Sequence, residues 1–192
     1  MGLLRPALAA RYGRDHPTLG GLHPVGRLDA DTGGLILLTN DGDFTFRLTH
    51  PRHEVVKTYE ALVGGVPTDE ALRALREGIP LDGRMTAPAE VRVLRTDRRR
   101  GRALVSVSIH EGRKRQVRRM LGAVGLPVIE LRRVRIGPLA LGRLKPGEWR
   151  ELRDEEVAAL LAAAAGEPIR PAPLDRARRR RPPSRRQRGP TG

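Results

Sequence analysis

Hydrophobic and polar residues alternate with the period of a β-strand in two long blocks of the chain. The block EVVKTYEALV places Val55, Lys57, Tyr59, Ala61 and Val63 on one face of a predicted strand. The block RVLRTDRRRGRALVSVSIH predicts two strands joined by a basic hairpin turn. The apolar face of the second of these strands consists of Ala103, Val105, Val107 and Ile109.

Short helices are predicted between and after these strands. TDEALRALREG has Thr68 as N-cap and ends at Gly78, and DGDFTFRLTH begins with an acidic cap. DEEVAALLAAAAG predicts a last helix with Asp154 as N-cap. In EGRKRQVRRMLGAVG the arginines lie opposite an apolar stripe with the helical spacing i, i+3, i+4 and i+7. That stripe consists of Val117, Met120, Leu121 and Val124.

The order of these elements favours an α+β fold, a mixed and mainly antiparallel sheet flanked by short helices. GLILLTN adds a buried strand, and PVIELRRVRIGPLALG adds further strand. We expect one folded domain over residues 23–166, after an irregular segment over residues 1–22 that has room for a short helix near 3–12. Residues 167–192 hold nine arginines and six prolines against two acids, which predicts a disordered basic tail.

The net charge of the chain indicates which class of molecule it binds. The formal net charge is +15 and the isoelectric point is about 11.6, which favours a polyanion. Nucleic acid is the first candidate and an anionic membrane surface the second. No apolar run reaches the roughly 18 residues of a membrane span, and the first residues lack the order of a signal peptide. We therefore expect a cytoplasmic protein.

The residue types present also limit the chemistry. Cysteine is absent, which excludes disulfides, thiol catalysis and thiolate zinc sites. Only His50 and His53 have a spacing that suits a metal on a helix, and Pro51 between them disfavours a helix there. We therefore expect no metal site.

The densest group of acids lies in PVGRLDADTGGLILLTNDG. Asp41 and Asp43 are explained as turn and cap residues of the following helix, and Asp31 as part of a glycine-rich turn. Asp29 follows Arg27 by two residues, and a carboxylate can stay ionised when half-buried if an arginine pairs with it. From spacing alone, Asp29 remains either a turn residue, the commoner case, or a reactive carboxylate.

Four segments together resemble one known family, the ribosomal-RNA pseudouridine synthases of the RsuA/RluB type. They are GRLDADTGGLILLTNDG, VVKTYEALV, EGRKRQVRRMLGAVG and LRRVRIGPLALGRLKPGEWREL, and they follow the order of the family from about residue 23 to 152. The resemblance implies the pseudouridine synthase catalytic fold and isomerisation of a uridine in ribosomal RNA without cofactor or metal. The base leaves carbon 1′ of the ribose, rotates and rejoins through its carbon 5.

The resemblance also implies three catalytic positions. Asp29 stands at the essential aspartate of the G-R-L-D motif, Tyr59 at the tyrosine of K-T-Y, and Arg118 at the basic position of Q-V-R/K. A carboxylate can trap or stabilise the oxocarbenium-like sugar, and we expect Arg118 to pair with Asp29. Tyr59 would stack on the base and assist loss of the proton on carbon 5. Without the resemblance, Tyr59 is an ordinary strand tyrosine and Arg118 part of a solvated helix face.

Other basic residues are expected to bind RNA phosphates or support the catalytic loop. They are Arg27, Arg113, Lys114, Arg115 and Arg119, with residues 98–100 as a second patch. The partner is expected to be ribosomal RNA or a ribosomal subunit precursor, 23S rather than 16S, bound by a monomer. Relatives usually begin with a small RNA-binding module that is not visible before residue 23. The alternative is a basic RNA-binding protein that kept the fold without catalysis.

Overall fold

A six-stranded sheet forms the centre of the protein. The computed structural model describes residues 8–11, 13 and 19–167. The strands are β1 (His23–Pro24), β2 (Thr32–Gly34), β3 (Leu38–Thr39), β4 (Lys57–Gly64), β5 (Pro80–Leu81), β6 (Arg84–Met85), β7 (Glu90–Asp97), β8 (Arg102–Ile109), β9 (Val128–Ile136) and β10 (Leu139–Ala140). The order in the main sheet is β10–β9–β4–β8–β7, and β2 also pairs with β9.

Every pair in this sheet is antiparallel except β2 with β9, which is parallel. The α+β class and the mixed, mainly antiparallel sheet predicted from the sequence are therefore confirmed. The hairpin of β7 and β8 is also confirmed, and its inward side chains at 103, 105, 107 and 109 are all buried. Alternation predicted this because successive side chains of a strand point to opposite faces.

In the described part of the chain, four short α-helices flank the sheet, in addition to the helical residues 8–11. They are α1 (Gly42–Thr49), α2 (Asp69–Glu77), α3 (Gln116–Ala123) and α4 (Asp154–Ala164). Asp41 and Thr68 cap α1 and α2 through their side chains, as predicted. The N-cap predicted for α4 is wrong by one residue. Arg153 occupies that position, and Glu156 accepts a hydrogen bond from its backbone N–H.

The described residues form two hydrophobic cores. The larger core joins the sheet to α2 and α3, and it contains the predicted apolar stripe of α3. The smaller core joins α1 and α4 to the chain around β2 and to the end of β9. Val25, at the start of the segment between β1 and β2, is buried in the smaller core and fixes that end of the segment.

The strand predicted over GLILLTN is divided in the structure. Its first glycine, Gly34, ends β2, residues 35–37 belong to no strand, and the segment then continues in β3, which pairs with β1. Gly34 has φ +107°, and a Cβ there would lie 2.2 Å from the backbone oxygen of Arg133. The close parallel approach of β2 to β9 therefore requires glycine, and the chain turns away from the sheet after it.

Several predictions concern residues outside the described part. Residues 168–192 of the predicted basic tail and most of residues 1–22 lie outside it, although residues 8–11 are helical within the predicted N-terminal helix. The division at residues 23, 166 and 167 stays a prediction. Among the described residues, no helix has both the length and the apolar character needed to cross a bilayer.

Candidate active site

A cleft opens where the segment between β1 and β2 faces the ends of β4 and β9. We call residues 25–31 the motif loop, since they contain the G-R-L-D sequence. The cleft has a volume of about 560 Å³ and is lined by the motif loop, the start of β4, the loop before α3 and part of β9. Asp29 and Tyr59, which lie 30 positions apart in the sequence, both line it.

Asp29 is a half-buried carboxylate that has no hydrogen-bond or ion-pair partner among the described residues. The backbone N–H of Thr32 donates to its carbonyl oxygen at 2.9 Å, which closes the turn that holds it. Among the residues that the structure describes, no hydrogen bond or ion pair engages the carboxylate itself. Its charge reaches Arg115 over a longer distance and contributes to raising the pKa of that guanidinium, after the larger effect of Asp31. Asp29 is therefore free to contact a ligand in the cleft.

Asp31, two residues further on, is fully engaged. Both of its carboxylate oxygens accept hydrogen bonds from Arg115, each at 2.8 Å. Its backbone oxygen accepts a bond from Nη2 of Arg118 at 2.6 Å, and Nε of Arg118 lies 3.2 Å from Oδ2. The hydrogen bond from Arg115 and the charge of Arg118 hold the pKa of Asp31 below its usual value. We call Asp31, Arg115 and Arg118 the Asp31 cluster.

The pairing of Arg118 with Asp29 expected from the sequence is therefore wrong. Arg115 and Arg118 are three positions apart at the start of α3, so they face the same side of the helix. That side faces the outer end of the turn, where Asp31 lies. Arg118 also donates to the carbonyl of Val128 at 3.2 Å, and it is absent from the residues that line the cleft. Through its contacts with Asp31, Arg118 fixes the end of the motif loop to α3.

Tyr59 lies in β4 between two neighbouring strands. It pairs with Val107 of β8 and with Arg133 of β9, and it packs against the larger core. The register of β4 and β9 shifts between Thr58 and Tyr59, which marks a bulge beside the cleft. Such bulges reorient side chains at the edge of a site. The structure thus brings Tyr59 into the same cleft as Asp29.

Two cations of the cleft were missed by the sequence interpretation. Arg133 is only 5% exposed; its Nε donates to the carbonyl of Leu35 at 2.8 Å and its Nη1 to that of Arg27 at 3.4 Å. Lys57 lines the cleft two residues before Tyr59, and burial lowers its pKa to about 8, helped by the charge of Arg133. The alternation of β4 already placed Lys57 on the inward face, and that was the available signal.

The five residues predicted to bind RNA fall into two groups. Arg27 and Lys114 are exposed side chains that line the cleft, and no hydrogen bond or ion pair within the described part of the chain engages them. The other three are engaged inside the protein. Arg113 donates to backbone carbonyls of Leu81 and Arg84, Arg115 belongs to the Asp31 cluster, and Arg119 pairs with Asp82.

These internal contacts change the expectation for the three engaged arginines. Arg119 holds the pKa of Asp82 below its usual value, as Arg115 does for Asp31. An RNA phosphate would have to compete with a carboxylate that is already bound bidentately. Phosphate binding by these residues stays a prediction, and Arg27 and Lys114 are the better placed candidates. Among residues 8–11, 13 and 19–167, no three acidic or histidine side chains cluster as a metal site.

Comparison with known proteins agrees with the motifs. A family model described as RNA pseudouridylate synthase matches residues 6–123. The ribosomal large subunit pseudouridine synthase B of Bacillus subtilis (strain 168) is 48% identical over 143 residues, which are 74% of this chain and 59% of that protein. The ribosomal small subunit pseudouridine synthase A of Yersinia pestis is 41% identical over 78% of this chain and 62% of that protein.

The fold agrees as well. A crystal structure of a pseudouridylate synthase has a TM-score of 0.69 and 40% sequence identity with this chain, and the match covers 76% of this chain and 62% of that one. The chain thus spans about 60% of the length of these relatives. The resemblance found in the four motifs is confirmed: the chain belongs to the RNA pseudouridylate synthase family.

Proposed function

We propose that this protein converts a uridine of ribosomal RNA to pseudouridine, with Asp29 as the essential carboxylate. The observation that supports this most directly is the state of Asp29, an unpaired carboxylate in a cleft of about 560 Å³ that it shares with Tyr59. That volume lies within the usual range of about 300–1,000 Å³ for small-molecule sites and suits a flipped nucleotide. The family of the chain supports the same reaction.

The reaction breaks one bond and forms another. The bond from carbon 1′ to N1 of uracil breaks with its electron pair on the base, and carbon 5 then bonds to carbon 1′. The proton on carbon 5 leaves, and N1 carries a proton in the product. Asp29 acts at the sugar, either by bonding to carbon 1′ and leaving again when carbon 5 attacks, or by taking the proton from carbon 2′ as the base leaves and returning it when the new bond forms. Tyr59 contacts the base and assists the loss of the proton from carbon 5.

Arg118 acts in this proposal through Asp31. The Asp31 cluster fixes the end of the motif loop to α3, so Asp29 keeps its direction without an arginine of its own. Arg118 is therefore a positioning residue in this proposal.

The substrate is proposed to be large-subunit RNA or its precursor. The large-subunit relative is 48% identical and the small-subunit relative 41%, which favours 23S over 16S. Arg27 and Lys114 at the cleft would contact phosphates of the strand that presents the uridine. The catalytic domain over residues 23–166, the monomeric state and the cytoplasmic location belong to the same proposal.

The test is a modification assay on both ribosomal RNAs. Purified protein is incubated with 23S and 16S RNA taken from cells that lack the gene, and pseudouridine is located by mass spectrometry of nuclease fragments. We expect one uridine of 23S RNA to be modified, and none by the Asp29→Asn protein. Binding of RNA without any pseudouridine in either RNA would favour a non-catalytic RNA-binding protein instead.

A further inference from the structure

Two cations lie together in the inner part of the cleft, and no carboxylate of the described residues forms an ion pair with either. Lys57 belongs to β4 and Arg133 to β9, and Arg133 is paired in register with Tyr59, the second residue after Lys57. Both line the cleft, and the charge of Arg133 disfavours the protonated form of Lys57. Two like charges held close in a partly buried site repel one another unless an anion joins them.

Arg133 has one hydrogen-bonding group that the protein does not use. Its Nε donates to the carbonyl of Leu35 and its Nη1 to that of Arg27, but its buried Nη2 has no partner in the described structure. Buried polar groups of native proteins nearly always have a partner, and a donor without one calls for an acceptor. A guanidinium group can only donate hydrogen bonds, so the missing partner of Nη2 must be an acceptor.

No carboxylate nearby supplies this acceptor. From the motif loop, Asp29 and Arg27 face the cleft, and within the described residues neither Lys57 nor Arg133 forms an ion pair with Asp29. From the loop before α3, Glu111 faces it with Arg113, Lys114 and Arg115. Glu111 already accepts from the backbone N–H of Ala87 and from Gln116, and it lies 3.3 Å from Arg113. The inner cleft is therefore net positive.

We propose that Lys57 and Arg133 stabilise the negative charge that develops on the uracil ring when its bond to the ribose breaks. This rests on the proposed function. When the bond breaks, its electron pair stays on N1 of the base, and the negative charge spreads over the two carbonyl oxygens of the ring. These oxygens can accept hydrogen bonds from the two cationic side chains. The charge disappears when carbon 5 bonds to carbon 1′. Cations aimed at a charge that exists only during the reaction lower its barrier.

The position of the two side chains favours the base over a backbone phosphate. Both are at least partly buried beside Tyr59, the residue proposed to contact the base, whereas Arg27 and Lys114 are exposed. Phosphates of a flipped nucleotide stay with the strand outside the cleft while the base enters it. The outer cations thus suit the phosphates and the inner pair suits the base.

The first experiment removes the charge of Lys57. Turnover of Lys57→Met on ribosomal RNA is expected to fall by about 10²-fold, the usual loss when one stabilising donor is removed. Lys57→Arg keeps a charge and should recover at least part of the rate. Lys145→Met removes an exposed lysine that does not line the cleft and serves as the matched control. Equal rates for Lys57→Met and wild type would overturn the proposal.

A pH profile separates charge from structure. Burial lowers the pKa of Lys57 to about 8, so the wild-type rate should decrease as the pH rises through about 8 and the ammonium group loses its proton. Lys57→Arg should not show this decrease, because a guanidinium keeps its charge there. A decrease of the same size in Lys57→Arg would assign it to another group and contradict the role of Lys57.

The leaving group offers a second, independent measurement. Fluorine at carbon 5 withdraws electrons and stabilises a negative charge on the base. The base of a 5-fluorouridine in the RNA therefore leaves the ribose more readily and depends less on stabilisation by the cations. The ratio of wild-type to Lys57→Met rates for cleavage of the glycosidic bond should therefore be smaller on this substrate than on uridine. An equal ratio on both substrates would show that Lys57 does not act on the leaving base.

A binding assay tests the site without any turnover. Barbiturate is a uracil-shaped ring with a negative charge at neutral pH, and NMR titration compares its affinity for the full chain with that of neutral uracil. We expect barbiturate to bind more tightly, and Lys57→Met to remove that preference. Equal binding of the two rings, or inorganic phosphate binding in place of barbiturate, would overturn the inference. Wild-type protein that prefers barbiturate but modifies no RNA would contradict the proposed function alone.

Discussion

Two carboxylates in the motif loop, Asp29 and Asp31, have opposite environments. Asp31 accepts two hydrogen bonds from Arg115 and lies against Arg118, which lowers its pKa. Asp29 faces the cleft and has no such partner in the described structure. The residue with the more favourable electrostatic contacts is thus the one that does not line the cleft.

The difference assigns the two carboxylates separate roles, Asp31 in fixing the loop and Asp29 in the reaction. A carboxylate that is bound bidentately by an arginine has its lone pairs occupied and its geometry fixed. One that has no partner keeps its lone pairs for a ligand, and its direction has to come from its neighbours in the chain. The Asp31 cluster supplies that direction from two residues away. Substitution of the unpaired carboxylate should therefore reduce turnover far more than substitution of the paired one.

The largest effect is expected at the unpaired carboxylate. Asp29→Asn should lower turnover by at least about 10⁴-fold, as removal of an essential group of a catalytic unit commonly does. Its thermal unfolding should stay close to that of wild type, because no protein contact is lost. Single-turnover assays and thermal melts measure the two quantities. Asp43→Asn, an exposed acid of α1, is the control, and measurable modification by Asp29→Asn would contradict the division.

Tyr59 shares the cleft with Asp29 and should give the next largest effect. Tyr59→Phe keeps the ring and loses the hydroxyl, so the substrate should still bind and the glycosidic bond should still break. Removal of the proton from carbon 5 should slow by about 10²-fold, the lower range for general acid–base catalysis. A deuterium at carbon 5 should then slow the variant more than wild type. Wild-type single-turnover rates in Tyr59→Phe would reduce this residue to stacking.

The paired carboxylate should matter less, and only through geometry. Asp31→Ala and Arg118→Ala are each expected to lower turnover by about tenfold, because a small displacement of a reacting group slows a reaction. The double variant should lose little more than either single one, because both changes disrupt the same contact. Multiplicative losses, or a loss in Arg118→Ala as large as in Asp29→Asn, would assign Arg118 a role of its own.

A paired carboxylate that does not line the cleft, that of Glu156, should affect stability alone. Arg150 binds both carboxylate oxygens of Glu156 at 2.7 Å and lowers its pKa to about 2. This stabilising contribution is present above the unfolded pKa of about 4.5 and decreases as the pH falls from there toward 2. Glu156→Gln should therefore weaken the dependence of unfolding on pH in that range and leave turnover unchanged. Glu155→Gln, its exposed neighbour, should keep the wild-type profile.

Local pattern alone predicted most of the elements. The alternation of β4 and β8, the apolar stripe of α3 and the cap at Thr68 depend on residues within one strand or one helix turn. The periods of 2 and 3.6 residues are properties of the backbone, so a sequence displays them directly. The four motifs likewise indicated the family, together with Asp29 and Tyr59 as candidates for one site.

The partners of charged side chains were decided by the tertiary structure. Arg118 and Asp31 are 87 positions apart, and Arg133 and Arg27 are 106 apart, so no local period relates them. The motif loop offers two carboxylates within three residues, and the direction of α3 determines which of them its arginines reach. The same holds for Lys57, a polar position on an inward face that no local rule explains. It lies beside Arg133 only because β4 and β9 pair with a bulge at Tyr59. Charges interact over a few ångströms in space whatever their separation in the chain, and the packing of the sheet against α3 determines those distances.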